Sequence, residues 1–315
     1  MRRRTLLASP LAVLFGGGCA GERDPALRLM VPNAPGSGYD ITARTVATSL
    51  DVSSGVEVFN LAGAGGMVGL RRLVYERGNG DLMMLMGLGL VGAQHTTGVS
   101  VTLDAVTPIA RLIEEPEVVV VTHDAPLRTL DDLVRAWQAD PAGLIVGGGS
   151  SPGGPDHLAA MLVAKAAGVT PRSARYAMHD GGGVLLAAVL SKRVAAAVSS
   201  LGEFAGQIDS GQLRVLATTG AERTTGIEAP TLREAGLDVV FANWRGLVAP
   251  PGLDDTQLRA LGTTVSRLRD STSWRQAMAG FRWTDAHLAG PEFGAFLHQQ
   301  DTRVTQILEE LGLDT

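Results

Sequence analysis

The sequence predicts an α/β fold, with mixed sheets flanked by helices, and three observations predict it. Apolar runs of strand length alternate with helical patterns from Leu29 to the C-terminus. Forty of the 315 residues are glycine, and many of them fall where one pattern gives way to the other. Aromatic residues make up only 4% of the chain, which suits closely packed α/β layers better than a β-sandwich. The length leaves room for two domains and a substantial core.

Two copies of one device fall within Leu29 to Leu70. In the first, the apolar run Leu29–Val31 meets a turn over 32–38, then opens through Tyr39 and Asp40 into a helical pattern from Ile41 to Leu50. In the second, the alternating strand Val56–Asn60 runs into Gly63, Ala64, Gly65 and Gly66, followed by Met67, Val68, Gly69 and Leu70. Glycine lets the backbone approach a ligand, and the first N–H groups of a helix lack internal partners. Together with the helix dipole they favour an anion. Two such termini side by side could hold one small carboxylate or phosphate. The alternative is a pair of ordinary βα turns.

The other elements follow in order. After a helix through Tyr75, residues 78–81 turn the chain into the apolar strand Leu82–Met86, and 87–92 form a third glycine loop that could face a ligand with Leu88 and Gly89. Glu117–Val121 has the continuous apolar character of a buried strand. Leu130–Trp137 is an amphipathic helix with Thr129 as its N-cap. A second βα series then begins with a strand at 144–146, a loop at 147–155 and a helix from Asp156 to about Ala167. Ala174–Tyr176 leads into His179, Asp180 and the glycines at 181–183, then a helix at Val184–Leu190. A strand at Val194–Val198, a helix at Glu203–Ile208 and a strand at Leu213–Ala217 complete the series. Val239–Phe241 precede an apolar stretch interrupted by Trp244 and Arg245, and the tail from Thr256 to Leu313 is mostly amphipathic helix. The split is discontinuous: residues 26–122 and 247–315 form one lobe, and 123–246 the other.

Residues 1–19 lie outside this fold. Arg2–Arg4 and the apolar run Leu6–Phe15 have the character of a signal peptide, too short to span a bilayer. Arg3–Leu7 also resembles a twin-arginine export signal. Cys19, the single cysteine, follows three glycines where a bacterial lipobox ends, although Gly16 stands where that motif has leucine. It is either a lipidation site or a cysteine lost with the signal, and it can form no intrachain disulfide. Loss of residues 1–18 removes three arginines and takes the net charge from −5 to −8. The remaining arginines are scattered, so a nucleic-acid footprint is absent. An acidic exported protein that binds an acid needs local donors rather than a global field.

Two motifs point elsewhere. Gly149-Ser150-Ser151-Pro152-Gly153 matches the G-x-S-x-G elbow of a serine hydrolase around Ser151. The oxyanion hole of that fold uses the N–H after the serine, and Pro152 has none. Gly63–Gly69 resembles a dinucleotide fingerprint of an oxidoreductase, but Val68 fills the third glycine position. Asp81 precedes its strand, whereas a ribose-binding acid follows one. The six histidines show no metal spacing, and no carboxylate pair is marked as acid and base. His179 and Asp180, beside a triglycine, could touch a ligand.

The chain resembles the substrate-binding proteins of tripartite tricarboxylate transporters, the TctC or Bug family, from about Leu29 to its end. The resemblance rests on Met30–Gly36 with Gly38, Tyr39 and Asp40, on Gly63–Gly66 with Val68 and Gly69, and on Met86–Gly89. It continues through Gly147–Leu158, Ala229–Leu232, Asn243–Gly246 and Ala249–Gly252. It implies a two-lobed periplasmic binding protein, type II-like, with a cleft between lobes that closes on a di- or tricarboxylate such as citrate. The implied partners are that carboxylate and the membrane permease subunits, the implied state is a monomer, and no cofactor or metal is required. The implied site comprises Gly36, Ser37, Gly38, Tyr39 and Asp40, then Ala64, Gly65, Gly66 and Met67, to which the strand-then-glycine pattern adds Leu88 and Gly89. The second lobe adds Ser150, Ser151, Asp180, Gly181 and Gly182, and Arg245 offsets ligand charge. Two positions depart from the family pattern: Ser37 replaces a glycine, and Val184 stands where a glutamate follows the triglycine.

Overall fold

The computed structural model describes residues 27–50 and 55–313. The expected signal peptide and Cys19 lie outside the described residues. Strand β1 (Leu27–Val31), helix α1 (Gly38–Ser49) and strand β2 (Val56–Asn60) open the fold, and a 3-10 turn at Ala64–Gly66 leads into α2 (Met67–Tyr75). Then come β3 (Leu82–Gly87), α3 (Leu88–Thr96) and the sixteen-residue β4 (Thr107–Thr122). The next series is α4 (Leu130–Ala139), β5 (Ile145–Gly148), α5 (Pro155–Ala166), β6 (Arg175–Met178), α6 (Gly182–Leu190), β7 (Ala196–Ser200), α7 (Leu201–Asp209) and β8 (Leu213–Thr218). The chain ends with β9 (Ala242–Ala249), α8 (Asp255–Asp270), α9 (Thr272–Phe281), β10 (Thr284–Ala289) and α10 (Gly290–Glu310).

β1 pairs in parallel with β2 and β3, and β3 runs antiparallel to β9. Residues Thr107–Pro116 of β4 pair with β9 and carry β10 on their other edge. Residues Glu117–Thr122 pair instead with β7 and β8, and β7 continues through parallel β5 to β6. β4 therefore belongs to two sets of strands. Pro116, which cannot donate to a ladder, sits at the changeover. All six residues of β3 are buried, so its sequence shows no alternation.

Three apolar clusters fill the layers. Leu29, Val31, Val46 and Trp274 pack α1, α8 and α9 against one face of the β1–β3 side. Val118, Val120, Leu185 and Phe204 pack α6 and α7 on the other strand set. The largest cluster runs across both, from Met30 and Met84 to Leu158 and Trp137. Trp244 belongs to it, edge-on to Phe293 and Phe296, with its indole N–H donating to Gln300 Oε1 at 3.2 Å.

Several local expectations change. The predicted loop at 87–92 is instead the end of β3 running directly into α3, so Leu88 is a buried helix residue. A Cβ on Gly87 would overlap the Trp244 carbonyl, and glycine lets β9 lie that close. Gly182 and Gly183 form the first turn of α6 rather than a loop. The tail holds the edge strand β10 between its helices. Thr129 does cap α4, in a capping box with Asp132.

Candidate functional site

The parallel strands β1, β2, β3, β5 and β6 all run toward one crevice, where the loops after their C-terminal ends meet. Ligands of open α/β sheets bind in such a place. The crevice holds a cavity of about 290 Å³. Its walls come from the starts of α1, α2, α3, α5, α6 and α7, so many free helix N–H groups surround one space.

Ser37 is the N-cap of α1, its Oγ accepting from the Asp40 N–H at 3.3 Å. Ser37 thus does a cap's work at this turn. The turn before α2 needs glycine: Gly63, Gly65 and Gly66 have φ of 141°, 62° and 101°, and Ala64 between them is also left-handed at 47°. In the second strand set, Ser150 Oγ accepts from the Asp156 and His157 N–H groups and so caps the start of α5. His157 Nδ1 accepts from the Gly153 N–H at 3.1 Å, and its ring lies edge-on to Tyr176. With His157 held there and Pro152 after Ser151, no serine-hydrolase relay is assembled. Burial pushes the His157 imidazole down to about 4, so it is neutral.

Twelve of the predicted residues line the cavity: Ser37, Gly38, Tyr39, Ala64, Gly65, Gly66, Gly89, Ser150, Ser151, Asp180, Gly181 and Arg245. Gly36, Asp40, Met67, Leu88 and Gly182 do not. Asp40 faces the turn instead, accepting from the Gly36 N–H, Asn60 Nδ2 and Arg44 Nε, each at 2.9 Å. It fixes the loop that the cavity uses. Met67 and Leu88 point into the core.

Arg245 lines the cavity, and its charge is engaged within the protein. Its side chain is 3% exposed, and Nη1 lies 2.6 Å from Glu115 Oε1, which is fully buried. Thr42 Oγ1 and Ser200 Oγ accept from the same guanidinium. Burial opposes the Arg245 charge, but Glu115, Glu203 and Glu117 outweigh it and hold the guanidinium protonated.

Around this pair stand carboxylates that sequence patterns did not mark. Glu117 accepts from Ser200 Oγ, Asp156 from the Gly149 N–H at 2.6 Å, and Glu203 from Ser199 Oγ at 3.1 Å. Asp156 and Glu203 line the cavity, as do Ser200 and Asn243. Burial, reinforced by Asp156 and Glu115, pushes the Glu203 carboxyl up to about 7. Burial also lifts Asp156 to about 6, against the hydrogen bonds it receives, and raises Glu117 further. Asp156 and Glu203 each had a local signal, in the first turn of a predicted helix, whereas Glu115 and Glu117 had none. Among the described residues no group of His, Cys, Asp and Glu could hold a metal ion, and no helix is long and apolar enough to cross a membrane.

A family model described as the tripartite tricarboxylate transporter family receptor matches residues 31–313. Protein BugT of Bordetella pertussis is 26% identical over 297 residues, covering 91% of this chain and 89% of its own. MatC from Rhodopseudomonas palustris with bound malate superposes with a TM-score of 0.79 at 22% identity, covering 90% of this chain and 98% of that one. The R. palustris protein Rpa4515 with adipate gives 0.85 at 21%, covering 91% and 97%.

Proposed function

The chain belongs to the tripartite tricarboxylate transporter receptor family, and from that premise we propose that it captures a small di- or tricarboxylate and delivers it to a membrane permease. Members of this family are solute-binding receptors, so the protein is a receptor and not an enzyme. In this reading it works in the periplasm, where Cys19 would tether the mature chain. Palmitate incorporation that survives in Cys19→Ser would sink the tether.

The observation that carries the proposal is the convergence of helix starts on the cavity. Ser37, Gly38, Gly65 and Gly66 stand on one side, and Ser150, Ser151 and Gly181 on the other. Backbone N–H groups at the starts of α1 and α2 would hold one ligand carboxylate. Residues 26–122 with 247–315 form the first lobe and 123–246 the second. The change of β4 partners at Pro116 supports a two-part division, although Glu117–Thr122 pair with the second strand set and Ala242–Gly246 with the first. Across the cleft Thr96 Oγ1 donates to the Pro152 carbonyl at 3.0 Å, and a Cβ on Gly181 would come within 3.3 Å of Ser37. Such contacts fit a closed state, which a ligand favours to the extent that it binds both lobes. Malate and adipate in two related structures make dicarboxylates the first candidates, ahead of citrate.

A thermal-shift screen of the mature chain against malate, adipate, succinate, tricarballylate and citrate tests this, with NAD and neutral sugars as controls. A ligand at a hundred times its dissociation constant stabilises the fold by about 2.7 kcal/mol. A rise confined to one class of acid is expected; no rise with any acid, or a rise with NAD, overturns the proposal. Tyr39 gives a finer check. Tyr39 is 8% exposed and lines the cavity, and its hydroxyl lies beside the Gly89 and Leu90 N–H groups at the start of α3 without a well-aligned hydrogen bond to either. Tyr39→Phe should leave the melting of the empty protein within a degree of wild type. It should weaken carboxylate binding by roughly fivefold, the worth of one hydrogen bond of about 1 kcal/mol. Equal affinity in calorimetry would show that the hydroxyl does not reach the ligand.

A further inference from the structure

The cleft holds more acid than a receptor for acids needs. Glu115, Glu117, Asp156 and Glu203 share one neighbourhood with a single cation, Arg245, which Glu115 already neutralises at 2.6 Å. Glu203 is the carboxylate placed where a ligand would arrive. It lines the cavity and is wedged between two helix starts: a Cβ on Gly38 of α1 would overlap both its Oε1 and the Arg245 Nη2 beside it, and one on Gly182 of α6 would overlap its Oε2. Both helix starts favour negative charge. In the empty cleft Glu203 has them to itself, whereas an incoming anion must share them.

The other elements packed on α7 offer no relief. α6 and β7 contain no titratable residue. Arg214 of β8 is bound to the carbonyls of His123 and Leu127, and Arg275 of α9 to those of Arg269 and Asp270. On α7 itself Asp209 is paired with Arg282. β4 adds Glu115 and Glu117, α5 adds Asp156, and Asp180 stands on the cavity wall. Tyr39 of α1 contributes a neutral hydroxyl. Arg245 favours the ionised form of Glu203, but burial and Asp156 outweigh it, and a second anion beside that ionised form would meet repulsion that one shared guanidinium only partly offsets.

We propose that Glu203 meets the ligand carboxylate in its neutral form, donating its carboxyl O–H, so that the receptor takes up one proton from solvent with each carboxylate it binds. The proposal rests on the receptor reading above. It makes Glu203 a specificity residue that favours capture in acidic surroundings and release in alkaline ones. The proton remains on Glu203 while the anion is bound and returns to solvent when the anion leaves. In the closed cleft, burial with Asp156 and Glu115, opposed by Arg245, pushes the Glu203 carboxyl up to about 7, which puts the linkage within a testable range.

The test is isothermal titration calorimetry of the mature chain with malate, adipate, succinate and citrate, in buffers of differing ionisation enthalpy, from pH 6.5 to 9. The expected result is proton uptake approaching one at pH 8, with affinity falling about tenfold per pH unit above neutrality. Glu203→Gln donates a hydrogen bond without titrating. It should abolish the uptake and bind at least about tenfold more tightly than wild type at pH 8.5. Carboxylate binding with no proton uptake and a flat pH profile overturns the proposal while leaving the receptor reading intact. Uptake that persists in Glu203→Gln also overturns it and moves the linkage to Asp156. If none of the four acids binds, the receptor reading falls and this proposal with it.

Discussion

Arg245→Met is expected to lower the stability of the empty protein by about 3–5 kcal/mol at pH 8, the cost of leaving a buried partner charge uncompensated. In a chain of this size that corresponds to a fall in melting temperature of about 5–8 °C. The sequence suggested Arg245 as a ligand contact, and a ligand contact would have the opposite signature, with normal melting and lost binding. The structure shows its guanidinium at the cavity wall, held between Glu115, Thr42 and Ser200 and joining β9 to β4, α1 and the end of β7. The pH dependence separates charge from shape. Burial raises Glu203 and Asp156 above their unfolded values, to about 7 and about 6, and for Glu203 the carboxylates Asp156 and Glu115 add to it. Acids raised on folding bind more protons in the folded state, so their penalty is absent below the unfolded pKa and grows as pH rises through the folded one. Without Arg245 the same carboxyls rise further. The deficit of Arg245→Met should therefore shrink markedly between pH 8 and pH 5. A deficit equal at both pH values would mean that lost packing, not lost charge, is responsible. A melting change under a degree would show that the ion pair does not hold the strands.

The strength of that expectation depends on contacts that no local pattern reveals. What was legible in the chain was local: the strand, glycine turn and helix start at Leu29–Gly38 and Val56–Met67 depend on neighbours within a few residues, and both formed as expected. Thr129 capping α4 is equally local. The acid cluster is not. Glu115 and Glu117 lie in a β-rich run, Asp156 in a helix start and Glu203 in another, and only the sheet order β9-β4-β7-β5 brings them together. Leu88 was misplaced because glycine on both sides reads as a loop, whereas Gly87 is there to admit the β9 backbone. β10 was hidden because Thr284–Ala289 is a partly exposed edge strand whose partner, β4, lies far away in sequence. The expected backbone donors at the helix starts mostly line the cavity, while the side-chain electrostatics behind them had to come from the tertiary structure.

Gly92→Ala should weaken carboxylate binding by roughly five- to 150-fold without lowering the melting temperature of the empty protein. Gly92 lies on α3, in the proposed first lobe, and a Cβ there would overlap the carbonyl oxygen of Gly153 in the loop before α5. One turn along α3, Thr96 donates across the same gap to Pro152. Both contacts are with backbone, so no side-chain rotation can make room, and Gly153 itself has a left-handed φ of 82° that limits how its loop can shift. If the two lobes part when the cleft is empty, the added methyl is harmless in that state. Its whole cost, about 1–3 kcal/mol for overpacking, then falls on closure. Each 1.4 kcal/mol of it removes about a factor of ten from the affinity. Small-angle scattering should show the wild type contracting when a bound carboxylate saturates it, and Gly92→Ala contracting less at the same occupancy. Should Gly92→Ala instead melt early without ligand, the Gly92–Gly153 contact would be permanent packing. The two strand sets would then be one rigid body, and capture would have to proceed through loop motion rather than through closure of lobes.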